Sequence, residues 1–136
     1  MLEWLRKLGA KKLPPLKGGP PVRRQKTYSA QSGYVYVYSY EGYRAAERGS
    51  ERGVQFVFEV SPDPKTSFPV SVFLAASAIE AWEDAHHELH ATECYAIAKM
   101  ALFQAFDERQ DPARMKPEIV VRRADAESIL ETLEMD

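Results

Sequence analysis

The chain's only histidines, His86, His87 and His90, crowd into the stretch EDAHHELHATEC, Glu83 to Cys94. On a helix, side chains three or four apart share a face. His86 then meets His90 over one turn, and His87 meets it too. Glu83 or Cys94 adds a ligand from the same side, and imidazole with carboxylate or thiolate suits zinc, nickel or copper. This defines one candidate, a metal-dependent enzyme at His86 and His90 with Glu83. The pattern is not the HExxH of zinc proteases, because His87 directly follows His86 and Glu88 follows His87. No second histidine motif exists to complete a site. A solvated helix turn, or a break between two helices, is the reading the spacing favours.

Other nucleophiles fare no better. Cys94, one turn after His90, would form a thiolate–imidazole pair, but it lies on a seam of small apolar residues where a cysteine belongs to the core. Ser29, Ser32 and Ser39 have no nucleophile elbow around them. Gly33, Gly42, Gly49 and Gly53 form neither a phosphate loop nor a dinucleotide fingerprint. Glu80, Glu83, Asp84, Glu88 and Glu93 read as one acidic, solvated helix face. The expectation is a protein that is not an enzyme and needs no cofactor.

The second chemistry-bearing pattern is YVYVYSY, Tyr34 to Tyr40. Strict alternation over a strand puts four tyrosines on one face and Val35, Val37 and Ser39 on the other. Four hydroxyls are many for a core, since each one buried without a partner costs about 1–3 kcal/mol. The valine face is also too apolar for open solvent. Both faces must be partly covered, and tyrosine is common at interfaces because it joins apolar area to a wet tip. The interface candidates are therefore Tyr34, Tyr36, Tyr38, Tyr40, Phe103, Phe106 and Trp4, and the expected partner is a second copy, forming a homodimer.

The elements that position these residues follow from periodicity. After the tyrosine strand come a turn-rich charged stretch (EGYRAAERGSERG) and a strand over Val54–Val60, with Phe56 and Phe58 on one face and Gln55, Val57 and Glu59 on the other. A proline-marked loop leads to a third strand at Val70–Leu74, and Pro117–Arg123 is a short fourth. Between them a helix runs from Ser77 to about Arg109, opened by a Ser77–Glu80 capping box, with a break near HHELHAT and a second start at Thr92. From Cys94 to Phe106 its only charge is Lys99. Cys94, Ile97, Ala98, Ala101 and Ala105 form a small-residue seam, and Tyr95, Phe103 and Phe106 form an aromatic face. Asp125 caps a last helix that buries Ile129, Leu130 and Leu133.

The N-terminus is of another kind. Residues 1–26 carry eight basic side chains against Glu3, a net +7, whereas residues 27–136 carry ten basic and nineteen acidic ones, a net −9. Four prolines and three glycines in the same segment oppose regular structure from about Lys11 to Arg24. A helix over Leu2–Leu8 is too short to stand alone and must dock. The arm's partners in view are the acidic body, a twin subunit or, as the alternative function, nucleic acid or ribonucleoprotein bound by charge alone. The chain has no glycine–aromatic signature beside basic strand residues, and its main helix opens acidic, unlike an RNA-binding sheet.

Length and composition set the frame. With 136 residues, one cysteine and no apolar run of the roughly 18 residues a membrane span needs, the expectation is a small soluble cytoplasmic protein without a secretory signal. The fold class expected is α+β: one domain over residues 27–136, in two layers. A mainly antiparallel sheet of three or four strands packs on a long or broken helix, preceded by a basic arm at residues 1–26. The expected function is a non-catalytic binding or self-assembly module built on the tyrosine strand.

Overall fold

A computed structural model describes residues 14–22, 24–108, 115 and 117–134. The expectations for Trp4 and for a helix at Leu2–Leu8 lie outside these residues. The fold is α+β, with a mostly antiparallel sheet and three helices among the described residues. The strands are β1 (Lys26–Ser29), β2 (Val35–Arg48), β3 (Glu51–Asp63), β4 (Thr66–Ala75) and β5 (Glu118–Val121), lying in sequence order across one sheet. The helices are α1 (Ala76–Ala85), α2 (Ala91–Glu108) and α3 (Arg123–Glu134). The first four strands form an antiparallel meander, and β5 joins β4 in parallel after α1 and α2.

Five strands replace the three or four expected, and two of them are much longer. The stretch EGYRAAERGSERG is a hairpin, not a loop: β2 runs to Arg48, turns through Gly49 and Ser50, and pairs back from Glu51. The reason is a bulge. The pairing shifts between Tyr40 and Gly42, so one extra residue resets the alternation and Tyr43 rejoins the face of Tyr40. The next hairpin turns through Pro64 and Lys65, where Asp63 Oδ1 accepts the backbone N–H of Lys65 and of Thr66, both at 2.8 Å.

The helix caps also differ from expectation. No side chain caps α1 at its start, so the Ser77–Glu80 box is not used. The expected break is present: α1 stops at Ala85 and α2 begins at Ala91, with Glu93 rather than Thr92 accepting the His90 N–H at 3.1 Å. At α3, Asp125 sits inside the first turn and reaches back to the Arg122 N–H at 3.1 Å.

One core fills the space between the sheet and the helices. Phe56, Phe58 and Val60 of β3, Val70, Val72 and Leu74 of β4, and Val121 of β5 point into it. Ile97, Ala98, Ala101, Leu102 and Phe106 of α2 and Ala126, Ile129 and Leu130 of α3 close it. No helix among the described residues is long and apolar enough to cross a membrane.

Candidate functional site

The tyrosine row lies against α2. Tyr36 is 0% exposed and stacks on Phe106 with ring centres 4.0 Å apart and planes 8° apart. Tyr38 meets Phe103 edge-on at 5.5 Å, and Tyr40 packs on Tyr95 at 4.6 Å. On β1, Tyr28 stacks on Phe103 at 4.2 Å, and its hydroxyl donates to Asp107 Oδ2 at 2.8 Å. The aromatic face of α2 and the tyrosine face of β2 thus cover each other. Tyr36, Tyr38 and Phe106 are buried within one chain, which corrects their place as interface candidates. Of that set, Tyr34 is exposed, and Tyr40 and Phe103 are half-buried. Burial, with Tyr95 and Tyr43 nearby, pushes the Tyr40 hydroxyl up to about 12.

The opposite face of the sheet mixes polar side chains with the buried Val57 and Phe73. Arg44 Nε donates to Gln55 Oε1 at 2.6 Å, and Gln55 Nε2 donates to Ser71 Oγ at 3.1 Å, so one chain of bonds crosses three strands. Gln55 is only 6% exposed, yet both ends of its amide are satisfied. One rung away, the Arg48 guanidinium lies 5.1 Å above the Phe73 ring and pairs with Glu118 of β5. Phe73 in turn covers Gly53, where any side chain would run into its ring.

The arm meets this sheet at its outer edge. Lys17 N–H donates to the Tyr43 carbonyl at 2.8 Å, and Tyr43 N–H donates to the Lys17 carbonyl at 2.9 Å. Backbones this close need glycines. A Cβ at Gly42 (φ 132°) would sit 2.6 Å from the Lys17 carbonyl oxygen, and one at Gly19 equally close to that of Glu41. At Gly18 (φ 69°) a Cβ would strike the Tyr43 ring at 2.7 Å. Pro14 and Pro15 precede this contact and Pro20 and Pro21 follow it, so it cannot spread in either direction. Among its described residues ahead of β1, the arm pairs with the sheet at Lys17.

The histidines go separate ways. His86 stacks on Trp82 at 3.6 Å, His87 Nε2 lies 3.3 Å from Glu93 Oε2, and His90 Nδ1 lies 4.0 Å from Glu88 Oε1. Glu83, the third proposed ligand, accepts the Leu89 N–H at 2.8 Å and closes the turn between the helices. The bond from the His90 backbone, then that from His87, holds Glu93 below the usual carboxylate range. Among the described residues, no three such side chains converge as metal ligands. Cys94 is half-buried, and burial, then Glu83 and Glu93, pushes its thiol up, away from thiolate chemistry.

Sequence reasoning missed Arg44, Arg48, Gln55, Ser71 and Glu118 as a group. The signal was present in the polar side of β3 (Gln55, Glu59), but the bulge hid the matching arginines of β2. Comparison of the chain with protein-family models, curated proteins and solved structures finds no match.

Proposed function

We propose that the chain is a non-catalytic binding and self-assembly module that works through the outer edge of β2. One observation carries this reading: past β1, the described residues of the arm pair with that edge at Lys17 alone, and the strand runs on beyond it. The Tyr43 N–H and C=O face Lys17, so strand alternation turns those of Ala45 and Glu47 the same way. Continuing the antiparallel register sets Pro15 opposite Ala45, and proline has no N–H to give. An open edge is a template for another strand, and the partner in view is a second copy, giving a homodimer joined along β2. The thiol of Cys94, held protonated by burial, supports binding over nucleophilic chemistry.

The test is Ala45→Pro, which removes an outward N–H at an exposed position. Light scattering should give a dimer for the full chain and a monomer for the variant, with Tm little changed. A monomeric parent, or a dimer that Ala45→Pro leaves intact, overturns the reading.

A second reading, binding of nucleic acid by the basic arm, draws support from one contact. Lys26, at the arm's base, stands beside Lys99 of α2, whose ammonium is held below its usual range by burial and then by the Lys26 charge. Neither lysine has an acidic partner among the ion pairs of the described residues. An anion relieves such a pair. Binding to single-stranded DNA should then weaken steeply with salt and lose part of that slope in Lys26→Gln with Lys99→Gln. No retention of DNA at roughly physiological salt removes this reading.

A further inference from the structure

The lysine pair stands among other hydrogen-bond donors. Lys26 lies directly across from Tyr38 in the β1–β2 register, so both side chains share one face of the sheet. From the helix side, the Lys99 ammonium lies 5.7 Å from the centre of the Phe103 ring, and Tyr38 meets that same ring edge-on at 5.5 Å. Lys26 comes within hydrogen-bonding reach of Lys99. Two ammonium groups can only donate, so neither satisfies the other. The Tyr38 ring is covered, at 5% exposure for the residue, but its hydroxyl reaches the surface and has no hydrogen-bond partner among the described residues.

Three donors thus meet beside Phe103 at a spot without a negative charge. Asp107, about two turns beyond Lys99 on α2, is already taken: its carboxylate accepts the Tyr28 hydroxyl at 2.8 Å and the Gln31 N–H at 2.9 Å. The count of charges and donors narrows the guest. A carboxylate brings one charge and two oxygens. A phosphomonoester brings nearly two charges at neutral pH and three terminal oxygens, one for each donor. Lysine meets phosphate as a point charge and needs no forked geometry. Tyr95 and Phe103, half-buried one turn to either side of Lys99, offer ring surface to the organic group.

We infer that Lys26, Lys99 and the Tyr38 hydroxyl form a binding site for the phosphate of a small phosphomonoester. The site rests on the lysine pair of the nucleic-acid reading but needs no polymer, so either can fail alone.

The test titrates the ¹⁵N-labelled full chain with phenyl phosphate at constant ionic strength and follows the amide signals of Lys26, Tyr38 and Lys99. A saturable shift with a Kd of about a millimolar is expected. Sodium benzoate, with one charge, should bind roughly tenfold more weakly. Lys26→Gln, at an exposed position, and Lys99→Gln should each weaken phenyl phosphate binding by about tenfold, and Tyr38→Phe by about fivefold, with the other signals in place. Phenyl phosphate binding without retention of single-stranded DNA keeps the site and removes the nucleic-acid reading; DNA retention without a response to phenyl phosphate does the opposite. The absence of a saturable shift, an equal response to benzoate, or an affinity unchanged in any of the three variants overturns the proposal.

Discussion

The two faces of the sheet each hold buried side chains, but by opposite means. On one, Tyr36 and Tyr38 lie under Phe103 and Phe106, and close aromatic packing does the work. On the other, Gln55 is buried by partners it bonds to, Arg44 and Ser71, and Phe73 by the guanidinium above it. The first face loses stability when volume is removed. The second loses it when one bond partner is removed and the others are left wanting. Burial alone therefore says little about what holds a residue in place.

The largest effect should come from the packed face. Phe106→Ala removes a ring with no exposed surface and should destabilise by about 3–5 kcal/mol in urea unfolding. A loss of under about 1 kcal/mol would mean that the stack on Tyr36 is not what secures this face.

Next comes the polar face. Gln55→Ala strands Arg44 Nε and the Ser71 hydroxyl and should cost about 1–3 kcal/mol. In a double-mutant cycle with Arg44→Ala the two losses should not add, because they break the same bond. Simple additivity would show that the chain of bonds does not act as a unit.

A smaller change tests the clip between arm and sheet. Gly18→Val forces a branched side chain into φ 69° and onto the Tyr43 ring. The arm should lift off at Lys17 for about 1 kcal/mol, since among the described residues two backbone bonds hold it there. The main readout is faster tryptic cleavage at Arg24, with the unfolding midpoint nearly unmoved. Equal cleavage in both proteins would show that the arm is not held by this contact.

The last test leaves stability at neutral pH untouched. A tyrosine whose folded pKa is raised favours the fold while neutral, and that contribution fades once the unfolded chain begins to ionise. Stability should therefore fall as pH climbs from the ordinary 10.0 towards the value of about 12 set by Tyr40's surroundings. Tyrosinate absorbance should show a late-titrating component that Tyr40→Phe removes. Titration of every tyrosine at the ordinary value would contradict the burial of this row.

Much of this architecture was legible in the residues. Alternation at Val54–Val60 and Val70–Leu74 located the centres of β3 and β4, and the break at the histidines separated α1 from α2. The ends were not legible, because Gly42 and the bulge beside it break the period by which a strand is recognised. β1 was missed for a different reason: four residues, KTYS, are too few to show a period and are held by pairing with β2. The tyrosines were read as too polar for a core. The sequence shows the hydroxyls but not Asp107, which comes 79 positions later to accept one of them. The arm's glycines argued against regular structure, and their use in a close backbone contact becomes evident only once Tyr43 is opposite them.

The parallel pairing of β5 with β4 bears on the order in which the chain assembles. β1 to β4 pair with their sequence neighbours through short connections, so little chain entropy is lost as each hairpin closes. β5 reaches its place only after both α1 and α2 have been made and folded back. During synthesis the meander is complete while its β4 edge still waits for Glu118–Val121. In that interval the apolar edge at Val72 and Leu74 is the part of the nascent chain most open to wrong pairing.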